Sequence, residues 1–118
     1  MKIAITTSQA NMASGLDNRF GRAIHIMIYD SETKQAQPLE RNEPPTHSAG
    51  IKTAQDIVNA GVEAVITGHV GPNAFQVLSA ANIQVFTSTA ASAQEAVELY
   101  QKGELTSLAQ PDKTGHWA

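Results

Sequence analysis

Apolar residues along this chain recur at two different spacings, and the changes between them mark its elements. Lys2-Ile3-Ala4-Ile5-Thr6-Thr7 is a short apolar run that predicts a buried strand. Ser8 to Asn18 is polar and small, with Gly15 inside it, and predicts a loop. Ala23 to Asp30 is rich in β-branched and aromatic residues. In that stretch Ile24, Ile26 and Ile28 share one face, while Ala23, His25, Met27 and Tyr29 share the other. Both faces are largely apolar, so this strand should be covered on both sides. Asp30-Ser31-Glu32-Thr33 predicts a turn, and Gln35 to Arg41 a third strand, antiparallel because the connection is so short. Pro38 lacks an N–H for the ladder and places that strand at an edge.

Helical spacing then takes over. Asn42 to Ala49 predicts a Pro-containing loop that carries His47, followed by a helix from Ser48 to Ala60 with Ile51, Ala54 and Val58 on one face. Gly61 is its natural stop. Val62 to Thr67 predicts a strand, and Gly68-His69-Val70-Gly71 a tight turn. Pro72 suits the first position of a helix lined by Phe75, Leu78 and Ala81, which Asn82 could end. Ile83 to Thr87 reads as a further strand. Ser92 and Glu95 form a capping box for a last helix carrying Ala93, Ala96, Val97 and Tyr100, ended by Gly103.

The resulting order is β-β-β-α-β-α-β-α. Its second half alternates strand and helix, which implies parallel strands with right-handed crossovers, and its first half adds a hairpin. The expectation is an α/β fold with a mixed five-stranded sheet and three helices. Residues 1–110 would form a single domain and residues 111–118 a loosely held tail containing His116 and Trp117. Loops should leave the carboxyl ends of the parallel strands at Ser8–Arg22, Gly68–Pro72 and Ser88–Ala91, and open α/β sheets bind ligands there.

Composition narrows the ligand. With no cysteine among 118 residues, disulfides and thiolate metal ligation are excluded. A net charge of −3 and a charged fraction of 16% point away from nucleic acid and from disorder. No signal-like segment follows Met1-Lys2, and no apolar run spans a membrane, so the expectation is a cytoplasmic globular protein, monomeric or weakly dimeric.

Candidate chemistry concentrates in two of the three loops. Arg19 and Arg22 stand three apart in a chain with only eight Lys and Arg, and a guanidinium fork suits multi-oxygen anions. Arg19 reads equally well as a surface partner of Asp17 or Asp30. Gly68, Gly71 and Asn73 flank a strand-to-helix turn whose amides favour an anion, although it matches neither the Walker A nor the G-x-G-x-x-G pattern. An ordinary turn that uses glycine for its geometry is the simpler reading of that turn taken alone. His47 and His69 lie in loops, His25 on a strand, and no histidine pair has the spacing of a helical metal site. Met12 places a soft thioether in the first loop. No G-x-S-x-G elbow surrounds Ser8, and no acidic cluster fit for two metal ions appears.

The stretches Asn18-Arg19-Phe20-Gly21-Arg22-Ala23, Ser48-Ala49-Gly50-Ile51 and Val65 to Phe75, with Leu78 beyond, resemble the dinitrogenase iron–molybdenum cofactor biosynthesis family. The resemblance covers roughly Met1 to Leu108. It implies a ribonuclease-H-like three-layer fold without nuclease activity, and binding or carriage of a metal–sulfur cluster rather than catalysis. One branch carries the nitrogenase iron–molybdenum cofactor or its precursor. The orange-protein branch holds a molybdenum–copper sulfide cluster non-covalently, and the cysteine-free composition here is similar to that case. Many carriers of the family have a histidine where this chain has Arg19, which shifts the expectation toward electrostatic capture. On this reading Met12, Arg19, Arg22, Gly68, His69, Gly71 and Asn73 bind the cluster, with His69 and His47 the candidates to touch metal. Other cofactor-assembly proteins would be its partners. Two further readings are an enzyme acting on a small phosphorylated ligand at the same loops, and an interaction module regulating a partner through the Gln35–Arg41 edge.

Overall fold

Alternation along the strands builds a sheet that is apolar on both faces. The computed structural model describes residues 1–17, 19–23, 25–39, 49–88 and 90–108. Strands β1 (Lys2–Thr7), β2 (His25–Asp30), β3 (Gln35–Pro38), β4 (Ala64–Thr67) and β5 (Gln84–Thr87) form one sheet in the order β3-β2-β1-β4-β5. β1 pairs antiparallel with β2 and parallel with β4, and β4 pairs parallel with β5. β3 closes a hairpin with β2 and stands at the edge, where Pro38 costs no ladder bond on its outer side.

On one face lie Ala4, Ile26, Ile28, Val65 and Val85. They pack with Ala54 and Ile57 of α1 (Ala49–Asn59) and with Ala74 and Leu78 of α2 (Pro72–Ala80). Their strand neighbours Ile3, Ile5, Tyr29, Ala64, Ile66 and Phe86 point the other way, onto Ala93, Ala96 and Val97 of α3 (Ala93–Gln101). Two helices cover one face and one covers the other, which is the three-layer arrangement the resemblance implied. Among the described residues no helix is long and apolar enough to cross a membrane.

Several stops and starts fall where their chemistry requires. Gly61 and Gly103 take left-handed φ of 75° and 74° just past α1 and α3, and Asn82 does so at 60° past α2. The Ser92 hydroxyl accepts the Glu95 amide at 3.2 Å and caps α3.

Two expectations differ. β2 begins at His25 rather than Ala23, because Phe20–Arg22 forms a single 3₁₀ turn that Ala23 closes by donating to the Phe20 carbonyl. On α1 the buried stripe is Thr53, Ala54 and Ile57, continued by Gly50, and not Ile51, which is 38% exposed. A Cβ on Gly50 would lie 3.6 Å from the Ala74 Cβ. Ala74 of α2 therefore faces this stripe at ordinary contact distance, and an alanine at Gly50 would fit there as well.

Candidate functional site

Three parallel strands end at one margin of the sheet, in Thr7, Thr67 and Thr87. β2 is antiparallel to β1, so its first residue, His25, sits opposite Thr7 at the same margin and is half-buried. The amino ends of α1, α2 and α3 also arrive here. The strand ends carry hydroxyls where a two-metal nuclease would need carboxylates.

The loop after β1 is tightly self-bonded. The Gln9 carbonyl accepts from the Thr7 hydroxyl at 2.6 Å, from the Asn11 amide at 2.9 Å and from the Ser14 hydroxyl at 3.1 Å. Its far end docks on α3, where the Ala93 and Gln94 amides donate to the Ser14 and Met12 carbonyls, both at 2.9 Å. The first three amides of α3 are thereby all occupied, and Glu95 adds negative charge to that turn. α3 cannot serve an anion in this state. The Met12 side chain is half-buried against the core under α3, so its thioether is largely a packing group.

α2 differs. Its N-cap is Gly71, which has no side chain to accept from the first-turn amides, and no acid lies in that turn. Gly71 has φ −77°, a conformation open to any residue, so backbone freedom does not explain the glycine there. Asn73 is exposed in the same first turn, and Gly68 is buried at the end of β4.

The central feature joins the two loops. Arg19 forms a parallel bridge with His69, and the Phe20 amide donates to the His69 carbonyl at 3.2 Å. Phe20 and Val70 turn inward and are fully buried, while Arg19 and His69 are exposed. Residues paired across neighbouring extended segments stand about 5 Å apart on one side. Arg19 and His69, 50 positions apart in sequence, therefore project side by side. The pairing of Arg19 with Asp17 is present as well: the Asp17 carboxylate accepts the Arg19 amide at 2.9 Å and lies 3.5 Å from Nε. The Arg19 side chain is nevertheless 68% exposed, against 14% for Asp17. The ion pair thus orients the guanidinium without removing it from solvent.

The remaining candidates are not placed together. Arg22 closes the 3₁₀ turn, but its side chain, like His47 and His116-Trp117, lies outside the described residues. Among the described residues no three His, Asp or Glu gather to hold a metal ion. Two surface depressions of about 370 and 420 Å³ lie elsewhere. One runs along β5 between Phe75 and Leu108, and the other lies between α1 and α2 at Val58 and Val77. From the sequence His25 is a lone strand histidine, a packing residue more than a ligand; its place beside Thr7 depends on the register of β2 and not on any motif.

Residues 1–103 match the family model of the dinitrogenase iron–molybdenum cofactor. The chain belongs to that family. Within it, the chain is similar to the orange protein of Desulfovibrio gigas, whose apo form aligns with a TM-score of 0.85 at 32% identity over 95% of this chain and 96% of that one. A NifB-like protein from Thermotoga aligns with a TM-score of 0.82, also at 32% identity, over 95% and 97%. An uncharacterized protein of Methanocaldococcus jannaschii is 30% identical over 109 residues, 89% of each chain. The family's name ties it to an iron–molybdenum cofactor, and the exposed Arg19 and His69 of this chain stand at the margin where open α/β sheets take ligands.

Proposed function

We propose that this chain is a non-enzymatic carrier that holds an anionic, molybdenum-containing metal–sulfur cluster by non-covalent contacts, in the cytoplasm. The observation that carries the reading is the exposed Arg19–His69 pair at the carboxyl ends of the parallel strands, next to the uncapped amino end of α2. Arg19 and Arg22 neutralise charge, the Gly68–Asn73 turn supplies amides, and His69 touches metal or sulfide. His47 is the second candidate for such a contact. The donor set fits this cargo: a cluster that arrives with its own sulfide needs cations and N–H donors, not the thiolates this chain lacks.

The molybdenum–copper sulfide cluster is the preferred cargo, since the chain aligns over nearly its full length with an orange protein. The iron–molybdenum cofactor or its precursor is the second reading, favoured by the family's name and by the NifB-like neighbour. Cofactor-assembly proteins would then deliver or receive the cluster. A hydrolytic reading is weaker, because Asp17, the acid beside Arg19, is already engaged by it.

The test is to mix purified protein with tetrathiomolybdate and a cuprous salt without air, then separate by gel filtration. Charge-transfer absorbance should coelute with the protein at a fixed metal ratio. Coloured species that elute only in the small-molecule volume would refute the carrier reading.

A further inference from the structure

Beneath the exposed pair lies a buried polar contact that the strand ladder does not need. Thr6 and Thr67 stand one step beyond the Ile5–Ile66 pair of β1 and β4. Their hydroxyl oxygens are 2.7 Å apart, and both residues are 0% exposed. The Thr6 hydroxyl donates to the Asp17 carbonyl at 2.9 Å, so its single proton is committed. Thr67 is therefore the donor within the pair. Valine would fill nearly the same volume on a strand without any hydroxyl to satisfy.

These contacts form a closed circuit. Thr67 donates to Thr6, and Thr6 to the Asp17 carbonyl. The Asp17 amide returns a bond to the Thr6 carbonyl at 2.9 Å. The Asp17 carboxylate then accepts the Arg19 amide, and the next residue, Phe20, donates to the His69 carbonyl. His69 lies two residues beyond Thr67, which closes the ring. Every member is fixed to its neighbour either by a hydrogen bond or by the chain.

We propose that the Thr6–Thr67 hydroxyl pair is a positioning latch, which sets the separation of the Asp17–Arg19 segment from the β4 turn and so holds Arg19 beside His69. Its part in ligand capture rests on the carrier reading; its part in placing the two loops does not. Neither threonine touches the ligand.

The experiment compares wild type with Thr67→Val, Thr6→Val and Thr67→Ser by two readouts. Amide hydrogen exchange reports the loops: Phe20 should exchange about tenfold faster in both valine variants, the size of one net hydrogen bond. Ile5 and Ile66, in the central strands, should keep their protection. Affinity for tetrathiomolybdate should fall by about the same factor, and Thr67→Ser should restore both. Unchanged Phe20 exchange in either folded valine variant would overturn the latch. So would an acceleration shared equally by Ile5 and Ile66, because that signals a general loss of stability. If wild type binds no tetrathiomolybdate, the carrier reading fails, while Phe20 exchange still decides the latch.

Discussion

Replacing Arg19 by glutamine removes one positive charge from the margin where the strands end and keeps most of the side-chain volume. Because that side chain is 68% exposed, its pull on a ligand is close to that expected in water. A dianion such as tetrathiomolybdate centred about 5 Å from the guanidinium gains about 1.7 kcal/mol at a dielectric constant of about 80. Screening over a Debye length of about 8 Å at physiological salt lowers this to about 0.9 kcal/mol. Arg19→Gln should therefore weaken binding roughly 15-fold at low salt and roughly 4-fold at about 0.15 M. Asp17→Asn should act in the opposite direction, since it removes a competing negative charge while an amide oxygen can still accept the Arg19 N–H. Isothermal titration of both variants at two salt concentrations reads the effect directly. Equal affinity for wild type and Arg19→Gln at low salt, or a difference that ignores salt, would refute electrostatic capture by this residue.

Two further outcomes follow from the packing. Leu78 is fully buried between α2 and the sheet, so Leu78→Ala should cost about 2–5 kcal/mol in urea unfolding, and a loss below about 1 kcal/mol would show that the site collapses around the cavity. Tyr100 is raised above its ordinary value of 10.0, first by burial and then by the nearby Glu63 charge. Its folded-state value lies above the unfolded one, so its contribution is fully present below about pH 10 and is lost as pH rises through the folded value. Urea stability should thus fall more steeply above about pH 10 in wild type than in Tyr100→Phe, and parallel curves would contradict the shift.

The strands were legible because a sheet covered on both faces needs apolar residues at successive positions, and Ile3, Ala4 and Ile5 supply them. Helix ends were legible where one residue type has a local reason to be there, as at Ser92, Gly61 and Gly103. The α1 face was not, because it is set by what α1 packs against: Ala74 of α2 faces Gly50, and the Thr53 hydroxyl donates to the Gly21 carbonyl of the 3₁₀ turn at 3.4 Å. Arg19 and His69 could each be nominated from their loops. Their adjacency could not, since it depends on a bridge between segments 50 positions apart. The Thr6–Thr67 bond has no sequence signal at all: two threonines at strand ends are what β-propensity alone would place there.

The first loop is fastened at both margins, to α3 by the Met12 and Ser14 carbonyls and to β1 by the Thr6–Asp17 bonds. A ligand that meets such a loop has little chain entropy to remove on arrival. Association can then run at a rate set by diffusion and charge steering, with a weak dependence on temperature. Residence time, not capture, becomes the adjustable quantity. For a protein that must hand its cargo on, release would be tuned by whatever competes for the exposed side of Arg19 and His69, and the loop itself need not open.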